Sequence, residues 1–394
     1  DTRFAFEWDP KRFDDPAAVI NKLKADNFKV CIWEYPLVSI QHPLFKEMAK
    51  KGWLLKDKRT GEAYQYQWDM SAFAEVLTPL PESGIVDFTH PDVVHDLANP
   101  GSPRLVFGYL AAALKVRKDA GKKPFTVQSC DNIQHNGNMT RKMLLAYVGQ
   151  FDQDLAEWIS QNVQFPNAMV DRITPATTPA DMAYLADEVG VKDNWPVVCE
   201  PFIQWIIEDK FSDARPMWEQ VGAQFVTDVT PYEKMKIRLL NAGHSVLGIL
   251  GSIEEQETID GAVQEPLFAH YLRLFMDSEV TPILDPVDGI DLTEYKDVLF
   301  ERFANPNVKD NLSRICLESS SKVSTFLLPT LLQNLASGGE IECATLVIVA
   351  WCYYSDKQVN KNGKALDIND VMSADLHKAA QQTTNDPLAF LQLD

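Results

Sequence analysis

Apolar residues along this chain change their spacing near residue 230. Before that point short β-prone runs alternate with helical stretches; after it the spacing is almost wholly helical. The β-prone runs are 28–33, 84–88, 125–130, 168–173 and 195–199, and 205–209 resumes an apolar-then-acidic pattern. Val19, Ile20 and Leu23 recur at helical spacing after Asp15-Pro16, as do Val106, Leu110, Leu114 and Val116 later, and another helix is expected from about Asn136. Beyond 230 the pattern predicts helices over 230–244, 266–277, 291–303, 308–319, 321–336 and 341–354. A polar tail follows from Asp367 and ends in Leu388-Ala389-Phe390-Leu391. Alternating strands and helices, then helices alone, predict an α/β part followed by a mainly α part.

The first helix of the second part carries the densest chemistry. Thr230 is placed to cap it, Pro231 suits its first position, and Glu233 follows the cap by three residues. On a straight helix with Lys236 at zero, Glu233 falls at roughly 60°, His244 at roughly 80° and Asn241 at roughly 140°. Four polar side chains then share one broad face. One reading is a solvated face with a stray histidine; the other is a site. Gly243 lies inside the helix, where glycine costs about 1 kcal/mol relative to alanine, and so asks for something packed close to the backbone. Asn241 is a poor helix former and asks for a reason too.

Composition narrows the classes. With 394 residues the chain has room for more than one domain, and 45% hydrophobic and 24% charged residues are ordinary for a globular protein. A net charge of −19 argues against nucleic acid or an anionic membrane surface as a general partner. No apolar run reaches the roughly 20 residues that span a bilayer, and no signal-peptide pattern opens the chain. Six cysteines without a CxxC pair read as reduced thiols. A cytoplasmic location is therefore expected, and a monomer is expected too. Because Asp1 stands where an initiator methionine would, a processed chain or a fragment is expected as well.

Other candidates lie outside the focal helix. Asp131 and Asn132 stand at the carboxyl end of a predicted strand, where open α/β sheets bind ligands; an Asx turn between strand and helix is the alternative. Asp171 sits among apolar residues in a β-prone run and must be paired or functional. Arg314 and Lys322 read either as solvated helix residues or as anion or hydroxyl contacts. His90 and His95, five apart with Pro91 between, do not make a helical metal pair and read as loop and helix-start residues.

Removing a hydride from an alcohol carbon needs a base for the hydroxyl proton, a donor for the developing oxyanion and an external acceptor. A lysine with a lowered pKa can be the base, an asparagine amide the donor, and a histidine can orient or relay. Neither a Gly-x-Ser-x-Gly elbow nor an HExxH is present to suggest a hydrolase.

Residues 92–394 resemble the polyol-specific long-chain dehydrogenases and reductases, most closely their mannitol-oxidising members. The carriers include Val127-Gln128-Ser129-Cys130-Asp131-Asn132, Pro166-Asn167-Ala168-Met169-Val170-Asp171-Arg172 and Glu200-Pro201-Phe202. They continue with Leu239-Leu240-Asn241-Ala242-Gly243-His244 and Arg302-Phe303-Ala304-Asn305-Pro306. The resemblance implies Lys236 as general base and Asn241 as the polariser of the substrate oxygen, with Asn132 and His244 binding and orienting. It also implies that Asp171, Arg314 and Lys322 contact the polyol, and it links Glu233 to proton traffic. By the same resemblance the cofactor is NAD or NADP, no metal is used, and sugar alcohols such as mannitol interconvert with ketoses such as fructose.

The family's Gly-rich cofactor turn has no counterpart, since the sequence holds no GxGxxG; the cofactor-binding residues stay unassigned. Residues 1–90 instead resemble part of the barrel of family-31 glycoside hydrolases. Phe4-Ala5-Phe6-Glu7-Trp8-Asp9-Pro10, Phe28-Lys29-Val30-Cys31-Ile32-Trp33-Glu34-Tyr35-Pro36 and Gly84-Ile85-Val86-Asp87-Phe88-Thr89 carry that likeness. Glu34, Trp68 and Asp69 would be pieces of a sugar-binding wall, while the family's nucleophile motif is missing. The expected organisation is thus a hybrid. A barrel-like fragment (1–90) precedes a partial Rossmann-like nucleotide-binding domain (91–229) and a helical substrate domain (230–394) expected to lack the family's last helices. A fused or misassembled reading frame would account for it, and the alternatives to a polyol dehydrogenase are a carbohydrate-binding or α-glycosidase-like remnant or an inactive hybrid chain.

Overall fold

The computed structural model describes residue 50 and residues 84–194, 196–308 and 310–393. The predicted helix after Asp15, the 28–33 strand and the wall residues Glu34, Trp68 and Asp69 lie outside the described residues. Thr78–Asp394 is one compact unit, and two apolar cores organise it.

The first core is local. Helices α1 (Pro91–Ala98), α2 (Val106–Asp119), α3 (Asn136–Val148) and α4 (Gln153–Asn162) bury Leu114, Leu144, Tyr147, Val148, Leu155 and Ile159 together. Asp96 is buried beside them and accepts the backbone N–H groups of Arg104 (2.8 Å) and Leu105 (2.8 Å), which fixes the entry to α2. Helix α4 starts at Asp152, whose carboxylate accepts Leu155 N–H at 2.9 Å.

Strands β1 (Ala168–Asp171), β2 (Gln204–Glu208) and β3 (Gln224–Val226) form a mixed sheet in that order. β1 and β2 are antiparallel, with Ala168 opposite Ile207, and β2 and β3 are parallel. Side chains alternate across the sheet: Met169 and Ile206 join the helical core, whereas Ala168 and Ile207 pack on the opposite face. That alternation turns Asp171 toward the helical part. Between β1 and β2 runs α5 (Pro179–Glu188), with a Thr178–Asp181 capping box.

Three predicted strands in this region do not form. Residues 84–87 and 125–130 carry no ladder, and neither does 196–199. A strand is defined by its neighbour, and among the described residues these runs meet only scattered partners, such as Val127 N–H donating to Gln164 O at 3.1 Å and Glu200 N–H to Ile173 O at 3.1 Å.

The second core is helical and contains Leu239, Val246, Leu272, Phe275, Phe303, Leu327, Val347 and Tyr354. Its long central helix, 230–253, passes from α-helix (Thr230–Lys236) through a π turn (Ile237–Asn241) back to α-helix (Ala242–Ile253). Around it lie helices at Ile259–Gln264, Pro266–Leu274, Leu292–Phe303, Leu328–Ser337 and Glu342–Lys357. The helix expected over 308–319 shrinks to Leu312–Ile315, because backbone bonds tie its start elsewhere: Ile259 N–H donates to Asp310 O and Leu312 N–H to Glu257 O, both at 2.9 Å. The polar tail contains an unpredicted helix, Ser373–Gln382, and Phe390 packs edge-on against Trp351 with ring centroids 4.8 Å apart.

One contact sets the position of the α3 start, and with it the 131–135 loop. Asn136 donates to Ala168 O (2.8 Å) and Asp131 O (3.0 Å) and accepts Ala168 N–H at 3.0 Å, clamping α3 to β1. Gly137 follows, and a Cβ there would stand 2.4 Å from Pro166 O and 2.6 Å from Phe165 O. Those are backbone atoms and cannot swing away. Gly137→Ala is expected to lower unfolding stability by about 2 kcal/mol, readable as a reduced urea midpoint with unchanged slope. Unchanged stability would show that the helix end can retreat from the strand.

Candidate active site

The central helix begins one residue earlier than its sequence suggests. Thr230 is already helical, and it is the Asp228 carboxylate that accepts its N–H, at 2.9 Å. The larger correction is the π turn at Ile237–Asn241. A straight helix would splay Lys236 and Asn241 apart; hydrogen bonding from i to i+5 adds a residue to the turn and brings residues five apart toward one face. Lys236, Asn241 and His244 accordingly line one cavity of about 380 Å³. Gly243 meets side chains rather than backbone: a Cβ would lie 3.1 Å from Met276 Cε and 3.3 Å from Leu272 Cδ1.

Asn132, Asp171, Arg314 and Lys322 complete the polar wall of this cavity, so seven of the eight candidate side chains share it. Glu233 is the exception. It borders a separate narrow crevice that Lys236, Asp131 and Asn132 also line. Its carboxylate accepts the His135 N–H at 3.1 and 3.2 Å. His135 takes a left-handed conformation (φ 52°) to present that N–H, a strained arrangement for a residue with a side chain.

Lys236 is buried, and its ammonium donates to Asn132 Oδ1. Burial pushes its pKa down; Asp171 and Glu233 pull it up, and Arg302 works with burial. Burial likewise pushes Glu233 up to about 7, with the His135 N–H opposing. The His244 ring is half-buried and packs on Phe303, centroids 4.6 Å apart. Burial, assisted by Arg314, lowers its pKa to about 3, so the ring is neutral at ordinary pH. His244 Nε2 and Asn241 Oδ1 are buried without a hydrogen-bond partner among the described residues. Buried polar atoms are normally satisfied, and both residues line a cavity able to hold a polar molecule.

The three remaining candidates are engaged by the protein itself. Asp171 is held by Arg302 through two bonds, Nη2 to Oδ1 at 2.7 Å and Nη1 to Oδ2 at 2.9 Å. Arg314 pairs with the buried Asp310, its Nε 2.6 Å from Oδ1. Lys322 donates to the carbonyl of Ile315 at 2.9 Å, and burial lowers its pKa. Sequence reasoning missed Arg302, Glu200, Asp310 and His135. Arg302 and Glu200 lay within quoted motifs, yet nothing local marked them as partners. Among the described residues no group of three or more His, Cys, Asp or Glu could hold a metal, and no helix is long and apolar enough to cross a membrane.

Comparison with known proteins shows the family. Residues 33–220 match the profile described as the mannitol dehydrogenase Rossmann domain, and residues 228–394 match the mannitol dehydrogenase C-terminal domain. A solved mannitol 2-dehydrogenase of Pseudomonas fluorescens, in ternary complex with NAD and D-mannitol, is 43% identical with a TM-score of 0.72, over 82% of this chain and 69% of that one. The chain belongs to the mannitol dehydrogenase family. Mannitol 2-dehydrogenases of Phaeosphaeria nodorum (44% identical over 307 residues) and Aspergillus fumigatus (43% over 309) are similar over 77% of this chain. The chain spans 53% and 61% of the length of those two relatives. A substrate-free D-sorbitol dehydrogenase shares the fold at 36% identity and TM-score 0.71, over 79% of this chain and 64% of that one. The match over residues 33–220 is of Rossmann type, and the C-terminal domain match over 228–394 follows it. The glycoside-hydrolase resemblance of residues 1–90 and the barrel expected from it gain no support, and the Rossmann match begins within that stretch, at residue 33.

Proposed function

We propose that this chain is built for hydride transfer between a sugar alcohol and a nicotinamide dinucleotide, interconverting a polyol such as mannitol with a ketose such as fructose. The observation that carries the reading is the cavity itself, where a desolvated lysine shares the wall with Asn241 and His244. In oxidation, Lys236 with its lowered pKa takes the proton of the reacting hydroxyl, while Asn132 holds its amine in place. The Asn241 amide steadies the oxygen as negative charge develops. Neutral His244 offers one donor and one acceptor to a hydroxyl, and Lys322 and Arg314 serve as contacts for the rest of the chain of hydroxyls. Glu233, in the crevice that Lys236 also lines, is positioned to pass its proton outward. The proposed division of roles follows the organisation at 91–229 and 230–394.

The hydride acceptor is external, and NAD is the reading favoured by the relative that holds it with D-mannitol. The described residues suit its reacting end, at Asn132 and Lys236. They include no Gly-rich turn opening a helix, the usual cradle for a pyrophosphate, and no step is assigned to residues that would hold the phosphates. We take the protein to act as a cytoplasmic monomer.

The direct test is formation of NADH from NAD and mannitol, and its consumption with fructose. Turnover in both directions is expected, with NAD binding measurable by calorimetry. A cooperatively folded protein that neither binds the dinucleotide nor turns over would overturn the reading.

A further inference from the structure

A buried ionic cluster lies behind the cavity wall. Arg302, on the Leu292–Phe303 helix, reaches across to β1 and grips both oxygens of Asp171. The same guanidinium donates to Glu200 through Nε (3.0 Å) and Nη2 (2.8 Å), and its face stacks on the Phe202 ring at 3.9 Å. Glu200 is fixed in turn by the Ile173 N–H at 2.5 Å, and the Tyr295 hydroxyl stands 3.4 Å from Asp171 Oδ2. All three charged groups are at most 6% exposed. Asp171 nonetheless lines the same cavity as Lys236.

A carboxylate beside a buried lysine would ordinarily pair with it and hold it protonated, which is the wrong state for a base. We propose that Arg302 is a positioning residue: by taking up the Asp171 carboxylate at two points, it leaves Lys236 at the cavity without a carboxylate partner. This rests on the reading of Lys236 as the base. Burial disfavours the charge on Arg302, yet its bonds to Asp171 and Glu200 outweigh burial, so the guanidinium stays charged. It acts on Lys236 twice, by neutralising Asp171 and by its own like charge. The other charged or titratable groups around Lys236 are Glu233 from its own helix, Cys130 and Asp131 beside Asn132 before α3, Arg172 after β1, and His244, Lys322 and the paired Arg314 and Asp310 around the cavity. Arg302→Gln alters none of these directly.

The test reads the protonation of Lys236 without turnover. Lysines of the full chain are reductively methylated with carbon-13 and titrated by NMR, with the Lys236 signal assigned by its loss in Lys236→Met. In Arg302→Gln the freed Asp171 is expected to raise the Lys236 midpoint by about one pH unit or more, and Arg302→Lys should shift it less. The double variant Asp171→Asn/Arg302→Gln removes the carboxylate that lines the cavity, leaving Glu200 held by the Ile173 N–H, and is expected to bring the midpoint back toward the wild-type value. If every folded variant titrates as the wild type does, the proposal fails and Arg302 is only a tie between strand and helix. The pH profile of mannitol oxidation should move with the NMR midpoint. If the midpoint moves while even the wild-type protein does not turn over, the positioning role stands and the functional reading falls.

Discussion

Lys236→Ala is expected to reduce mannitol oxidation by on the order of 10³-fold, within the span typical for loss of a general base. The loss should fall on kcat, because the lysine amine is needed where the hydroxyl proton leaves and the other cavity groups still bind the polyol. Oxidation by the wild-type protein should rise with pH as the lysine loses its proton, at a pH below that of an ordinary lysine because burial disfavours the ammonium. In Lys236→Ala that rise should vanish rather than move. Steady-state kinetics of both proteins across pH, with unfolding curves to show that the variant folds, make the comparison. A variant within tenfold of wild type, or one retaining the same pH-dependent rise, would remove Lys236 from the role of base.

The candidate site was legible to the extent that its residues lie on short stretches of sequence. Lys236, Asn241 and His244 announce themselves as polar residues sharing a helix, and the helical second half is written in its apolar spacing. The π turn is not written there, because it is a choice among hydrogen-bond patterns available to the same residues, decided by what packs around Ile237–Asn241. A wheel drawn at constant pitch therefore misplaces Asn241 relative to Lys236. The Asp171–Arg302 pair was beyond reach for a different reason. Its members are 131 residues apart, and an arginine in a helix pattern reads as solvated until a buried carboxylate arrives beside it. The over-read strands at 84–88 and 125–130 show the converse, since β propensity without a paired neighbour does not make a ladder. The Ser373–Gln382 helix was hidden by polarity: only Leu376, Ala379 and Ala380 are buried along its length.

Glu233→Gln is expected to make the protein more stable in alkaline solution. Glu233 is 3% exposed, and burial raises its pKa from the ordinary 4.5 to about 7. The folded protein thus binds this proton more tightly than the unfolded chain does. The stabilisation it brings is complete below about pH 4.5, and it drains away as the pH climbs to about 7. Above that, the native state carries a buried carboxylate at a cost of about 3 kcal/mol relative to the protonated form. Glutamine has nearly the same shape, its amide oxygen can still accept the His135 N–H, and it has no proton to lose. Wild type and variant should therefore have similar urea midpoints at about pH 4, and the variant should lead by up to about 3 kcal/mol at about pH 8. Parallel stability curves over that range would mean that Glu233 keeps an ordinary carboxylate pKa. A lead confined to the alkaline side would establish that the group beside Lys236 changes charge near neutrality, the property that a carrier of the lysine's proton needs.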